Sequence, residues 1–335
     1  MAKFFWILLA DFLTPATAHD KLEGSCPRPS DCFMSVSSTT STTPPLLSPS
    51  LLAQLERMEL VSRKIFRGRM KGERRSRRKG QSVEFADFRN YVPGDDLRFI
   101  DWNTYARLDK LFLKLFMEEE DLHFYSLIDV SPSMNFGSPT KLHYAKQLAA
   151  ALGYIGLCRA DRVKIEALDG AKTSSAPVLR GRKSLFRLTE HVQSIQSNEG
   201  NVTLTEAVKS FCLRNSGKGI LVLITDLMDK SGYEEALKYL VARDLDIYLI
   251  HVFSQEEIDP DLQGDLKLVD CEDQDVAEIS VSRRLIDRYK QTLASFIEEA
   301  RDFSAKRGIA YTMTSTERSV ERLVSKYLRQ RGLVR

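Results

Sequence analysis

No Cys-x-x-Cys pair and no His-Glu-x-x-His occurs in this chain, so a zinc ribbon, a disulfide scaffold and a helical zinc-hydrolase site all lack their ligands. The five cysteines, Cys26, Cys32, Cys158, Cys212 and Cys271, are scattered and read as buried thiols; the five histidines read as structural or surface residues. Gly-x-Ser-x-Gly and Gly-x-x-x-x-Gly-Lys-Ser/Thr are also missing, which leaves a serine-hydrolase elbow and a P-loop unsupported. Charge of one sign is scarce as well: 49 basic against 46 acidic residues give a net charge of +3, so attention moves to how charge is distributed. What is present, 43% hydrophobic and 28% charged residues in 335, is ordinary for a globular chain with a sizeable core.

Three stretches make up the expected organisation: 1–50, 51–120 and 121–335. In the first, an apolar run from Phe4 to Leu13 followed by Ala16-Thr17-Ala18 has the outline of an export signal. Asp11 interrupts the run, which is too short to span a bilayer, and translation from Met34 is the alternative. The expected location is cytoplasmic, or exported if 1–18 functions as a signal. Ser35 to Pro49, rich in Ser, Thr and Pro, reads as a flexible lead-in.

In the second stretch, apolar spacing from Leu51 to Ile65 predicts an amphipathic helix ending near Phe66. A basic segment from Arg63 to Lys79 follows, opposed only by Glu73. It fits nucleic-acid phosphates, but Phe66 is its sole aromatic, and the preferred reading is a solvated arm or a patch for an acidic protein. Pro93-Gly94-Asp95-Asp96 is a turn signal, and Asp95, Asp96 and Asp101 are expected to pair with Arg89, Arg98 and Arg107 rather than to act in catalysis.

The third stretch alternates apolar runs of strand length with helical periodicity, which predicts a doubly wound, mostly parallel α/β sheet behind an N-terminal helical and basic arm. Helices are expected over Lys141–Ala160, Ser184–Ile195, Thr205–Leu213, Tyr233–Arg243, to about Lys306, and over Ser319–Arg329. The residues around Leu266 to Val281 read as a polar stretch. The first buried strand delivers Asp129, Ser131 and Ser133 to its end, and Ile220–Ile224 delivers Asp226 to the end of another. Carboxylate and hydroxyl oxygens suit a hard cation, and the carboxyl ends of such strands are where ligands bind. The competing reading is that these residues cap the turns that follow them.

Taken together, Phe88-Arg-Asn-Tyr-Val-Pro-Gly-Asp-Asp-Leu-Arg-Phe-Ile-Asp-Trp102, Ala106-Arg107, Asp129-Val-Ser-Pro-Ser133 and Leu223-Ile-Thr-Asp-Leu-Met-Asp229 resemble the von Willebrand factor A-like fold with its metal-ion-dependent adhesion site. The resemblance is closer still to the bacterial domain-of-unknown-function family fifty-eight, associated with MoxR-type AAA+ ATPases. It implies a metal site of Asp129, Ser131, Ser133, a second-loop Thr and Asp226, holding Mg²⁺, or alternatively Mn²⁺ or Ca²⁺. The family's Gly-Gly-Thr falls on Gly200-Asn201-Val202, so Val202 stands where its Thr belongs; Thr203 is the substitute, with Thr205 a poorer candidate. The implied function is a non-enzymatic protein-binding module that captures a partner carboxylate, with a MoxR-type ATPase or its client as partner and no transmembrane segment. The alternatives are a nucleic-acid binder using residues 63–79 and a metal-dependent hydrolase.

Overall fold

The computed structural model describes residues 46–61, 84–117, 122–169, 177–197, 202–262, 264–269 and 276–335. The export-signal outline, most of the Ser/Thr/Pro lead-in, the basic segment Arg63 to Lys79, Gly200 and Asn201 lie outside them. Two compact units are present, divided before Ile65 and after Leu122.

Helix α1 spans Pro49–Leu55, shorter than the spacing predicts and beginning inside the expected lead-in. Pro49 suits the first helical position, and the Ser48 hydroxyl accepts a hydrogen bond from Leu51 N–H, so Leu46 and Leu47 are already buried. The helix stops because the next residues pair elsewhere. Glu59 and Arg335 exchange backbone hydrogen bonds of 3.2 and 2.8 Å, and Val61 N–H reaches Leu333 O at 2.9 Å. This places α1 in the larger unit rather than with the segment that follows it in the expected 51–120 stretch.

The smaller unit contains β1 (Glu84–Asn90), α2 (Trp102–Leu108) and β2 (Phe112–Met117), with β1 and β2 antiparallel. Arg89 pairs with Asp95 at 2.8 Å and Arg98 with Asp96 at 2.6 Å, as expected from residue type. Asp101 departs from expectation. It caps α2, accepting from Asn103 N–H, and its charge partner is Lys114 at 3.5 Å rather than Arg107. Trp102 is 61% exposed and meets Tyr105 edge-on.

The larger unit continues through β3 (His123–Asp129), α3 (Lys141–Cys158), β4 (Arg162–Leu168), α4 (Leu185–Ser194), α5 (Leu204–Arg214), β5 (Gly219–Thr225), α6 (Glu234–Val241) and β6 (Leu245–Phe253). After these come α7 (Gln255–Ile258), β7 (Gly264–Val269), β8 (Val276–Val281), α8 (Arg283–Lys306), β9 (Ala310–Ser315) and a helical turn over Val320–Leu328. The expected parallel, doubly wound sheet is present: β4-β3-β5-β6-β9, with every neighbouring pair parallel. The expected polar stretch is instead the antiparallel β7–β8 hairpin.

Tyr125, Leu127, Leu221, Leu223 and Leu249 pack with α5, α6 and α8 on one face of the sheet. Alternate residues, Phe124, Ile128, Ile220 and Ile224 among them, turn to the other face, where α3 lies against β3 and β4. Burial on both faces is why these strands read as unbroken apolar runs. Helix α3 is apolar nearly all round, as a central helix must be. A Cβ on Gly156 would stand 2.8 Å from Val163 Cγ2, so glycine lets the helix seat closely on β4.

Candidate metal centre

In chain order the five parallel strands run 2-1-3-4-5, and the order reverses between β3 and β5. Open α/β sheets bind ligands beyond the carboxyl ends of the strands at this reversal. Asp129 closes β3, and Asp226 follows the last residue of β5.

Asp129 is buried and accepts two hydrogen bonds: from Ser131 N–H at 3.0 Å and from the Thr225 hydroxyl at 2.6 Å. Thr225 Oγ1 in turn accepts from Leu227 N–H at 2.9 Å, which ties the β3 and β5 loops together. Leu227 takes the left-handed conformation at φ 55°, an uncommon state for a branched residue that these bonds hold in place. Ser131 Oγ and Ser133 Oγ stand 3.0 Å apart, and Ser133 also hydrogen-bonds the Asp226 carboxylate.

Asp226 is fully enclosed. One oxygen accepts from Met228 N–H at 3.1 Å; the other meets Lys141 Nζ at 2.7 Å. Lys141 Nζ also meets Glu257 Oε1 at 2.6 Å and has no exposure. Glu257 is fixed by a capping box with Ser254 and by Tyr289, whose hydroxyl donates to the Glu257 carbonyl at 2.7 Å.

The charges follow from this geometry. Burial alone would raise the Asp226 carboxyl, but the Lys141 ammonium, with hydrogen bonds from Lys141, Ser133 and Met228 N–H, holds it down at about 2. Burial works against the Lys141 ammonium, yet Asp226 and Glu257 keep it charged with a pKa of about 12. Asp129 is pushed up, first by burial and then by repulsion from Asp226. Among the described residues no ammonium or guanidinium pairs with Asp129. With all three carboxylates ionised, one ammonium leaves the cluster at a net charge of −2.

These residues fit a divalent ion. Adjacent oxygen ligands of an octahedral Mg²⁺, each about 2.1 Å from it, lie about 3.0 Å apart, the separation of the two serine hydroxyls. Among the described residues no three His, Cys, Asp or Glu side chains form a group able to hold an ion by themselves.

Four of the five sequence-predicted residues, Asp129, Ser131, Ser133 and Asp226, therefore meet. Thr203 is engaged otherwise: its hydroxyl caps α5, accepting from Glu206 N–H at 3.2 Å, and no hydrogen bond joins it to those four. Its loop is nonetheless tied to the third one, because Leu204 N–H donates to Asp229. Val202 is 37% exposed.

Lys141, Thr225 and Glu257 were not singled out from the sequence. Lys141 opens a helix whose remaining pattern is almost wholly apolar, an unusual setting for a lysine. Ser254-x-x-Glu257 is a capping-box signature that marks the glutamate's local role and hides its charge partner.

A parallel sheet wound in the 2-1-3-4-5 order, with acids and hydroxyls meeting at its reversal, defines a doubly wound α/β protein with an oxygen-rich cluster at the carboxyl ends of its strands. Within that class, the chain belongs to the family described as Protein of unknown function DUF58, which it matches over residues 87–298. Uncharacterized proteins of Mycobacterium tuberculosis and Mycobacterium bovis are 26% identical over 252 residues, which is 74% of this chain and 79% of theirs. Among solved structures, the conserved hypothetical protein BatB from Bacteroides thetaiotaomicron is 15% identical, with 63% of this chain and 98% of that chain covered and a TM-score of 0.39. An aerotolerance-related membrane protein from Bacteroides fragilis is also 15% identical, with 62% and 99% covered and a TM-score of 0.39. The VWA domain of SpRpn10 is 10% identical, with 61% and 94% covered and a TM-score of 0.34. Among the described residues, no helix is long and apolar enough to cross a membrane.

Proposed function

We propose that this chain is a non-enzymatic protein-binding module that presents a divalent cation at the carboxyl edge of its sheet and through it holds a carboxylate of a partner. The observation that carries the reading is the meeting of Asp129, Ser131, Ser133 and Asp226 at the sheet's reversal, where no ammonium or guanidinium among the described residues pairs with Asp129. Ser131 and Ser133 would hold the ion directly, Asp129 and Asp226 would supply negative charge beside it, and Thr203 is the second-loop candidate. Mg²⁺ is the first choice, Mn²⁺ or Ca²⁺ the alternatives. When bound, such an ion offers a Lewis-acidic position that an Asp or Glu side chain can occupy. By family resemblance the partner is a MoxR-type AAA+ ATPase or its client, with this chain as adaptor.

Among the described residues, the amine and the imidazole near the serines are already engaged, which disfavours the hydrolase alternative. Lys141 is locked in its charged form between two carboxylates, and the His251 ring is committed to the Asp226 carbonyl and the Tyr311 hydroxyl, 2.9 and 2.8 Å away. The nucleic-acid alternative rests on residues 63–79, outside the described part of the chain.

Serine variants test the reading better than Asp226→Ala, which would break a buried ion pair and leave the Lys141 ammonium with Glu257 alone, at a cost of about 3–5 kcal/mol. Calorimetric titration of the full chain with Mg²⁺ should give one site, weakened at least about tenfold in the Ser131→Ala/Ser133→Ala double variant with its thermal midpoint preserved. Capture of the ATPase should need Mg²⁺ and fail with chelator. A wild-type chain that takes up no Mg²⁺, Mn²⁺ or Ca²⁺ refutes the proposal.

A further inference from the structure

Lys141 lies outside the ligand pattern, yet its ammonium is wholly buried and bridges Asp226 and Glu257 at 2.7 and 2.6 Å. A lysine enclosed in this way sheds its proton unless anions hold it, and here two do. Neither partner is free to move away. Lys141 is in the first turn of α3, fixed by the Thr140 cap, whose hydroxyl accepts from His143 N–H. Glu257 is fixed by its capping box with Ser254, and the Asp226 loop is fixed by the Thr225 and Met228 hydrogen bonds.

We propose that Lys141 is a built-in counter-cation that sets the charge and affinity of the candidate metal centre: it occupies one oxygen of Asp226 and cancels one carboxylate charge, so that a cation is held there more weakly than the bare carboxylates would hold it. The role rests on the preceding reading for the identity of the ion, but its electrostatics stand on the ion pairs themselves. Two consequences follow. The third loop is held by an internal charge, so the fold does not wait for an ion, unlike sites in which binding and folding are one event. Glu257 also becomes part of the site although it reaches no ligand position, because its charge is summed with those of Asp129 and Asp226.

The test uses Mg²⁺ alone as probe, with the full chain and two variants whose expected effects have opposite sign. Lys141→Met keeps an unbranched stem and removes the positive charge, so the cluster becomes more negative and an Asp226 oxygen is released. Mg²⁺ should bind at least about tenfold more tightly, and the thermal midpoint should become strongly Mg²⁺-dependent. Glu257→Gln removes a negative charge and keeps an acceptor for the ammonium. Mg²⁺ should bind at least about tenfold more weakly, and the midpoint should fall as well, because the single amide oxygen cannot serve both the ammonium and Ser254 N–H. A merely structural role would lower stability in either variant without moving affinity in opposite directions.

If Lys141→Met fails to fold, Glu257→Gln decides: weakened binding supports the role and unchanged binding overturns it. Binding by the wild type with no tightening in Lys141→Met, or both variants shifting the same way, overturns the role and leaves the cation reading standing. Uptake by Lys141→Met but not by wild type supports the counter-cation and removes the resident ion from the native chain. No uptake by either protein overturns both.

Discussion

Burial holds the His251 imidazole down at about 4, where it would otherwise titrate near 6.5. With Nε2 2.9 Å from the Asp226 carbonyl and Nδ1 2.8 Å from the Tyr311 hydroxyl, the neutral ring is assigned a proton on Nε2 and accepts at Nδ1. Because the folded value lies below the unfolded one, the neutral ring's contribution is complete above roughly pH 6.5 and is lost as pH falls toward 4. The loss should amount to roughly 3 kcal/mol, measured as the difference in urea unfolding free energy between about pH 7 and pH 4. His251→Gln, which cannot titrate, should flatten that part of the profile. At this scale, the juxtaposition of Asp129, Ser131, Ser133 and Asp226 was legible because each follows an apolar run of strand length, and parallel neighbouring strands bring their carboxyl ends together. Lys141 and Glu257 were not, because only the fold brings positions 141, 226 and 257 to one point.

Elements were legible where packing and period agree. The β3, β5 and β6 strands are buried on both faces and announce themselves as apolar runs; α8 shows an amphipathic stripe over 24 residues. The β7–β8 hairpin was missed although Asp265-Leu266-Lys267-Leu268 alternates, because each strand is only six residues long and the sequence between them, Asp270 to Asp275, is mostly acidic. The end of α1 was missed for another reason: helical spacing continues past Leu55, but the backbone at Glu59 to Val61 is taken by residues 333–335. Thr203 serves an element as a cap, since its oxygen satisfies an otherwise unpaired N–H in the first turn of α5. Thr203→Ala should lower stability by about 1 kcal/mol in urea unfolding, while Thr203→Ser, which keeps the accepting oxygen, should stay within about a few tenths.

Over the whole molecule, the larger unit is built from both sides of an insertion. Its first segment ends just before Ile65, its main body starts at His123, and the two are joined by the pairing of Glu59–Val61 with Leu333–Arg335. Leu333 and Leu60 are buried there at 0% and 5% exposure, so the joint is part of the core rather than a surface clasp. Leu333→Ala should cost about 2–5 kcal/mol, read as a lowered thermal midpoint, and should leave Mg²⁺ affinity unchanged because the cleft is made by other residues. Nothing local in the sequence announces this pairing, because strand-like contacts between positions so far apart in the chain leave no periodic trace.

The chain has two tryptophans, Trp6 and Trp102, and none after position 102. Light at the red edge of protein absorption, which indole takes up and phenol does not, therefore reports on the smaller unit while the body of the larger one stays dark. With Trp6→Phe as background, an emission band that moves toward the blue would reveal any surface that comes to cover the exposed ring, without a label and at the concentrations where association occurs.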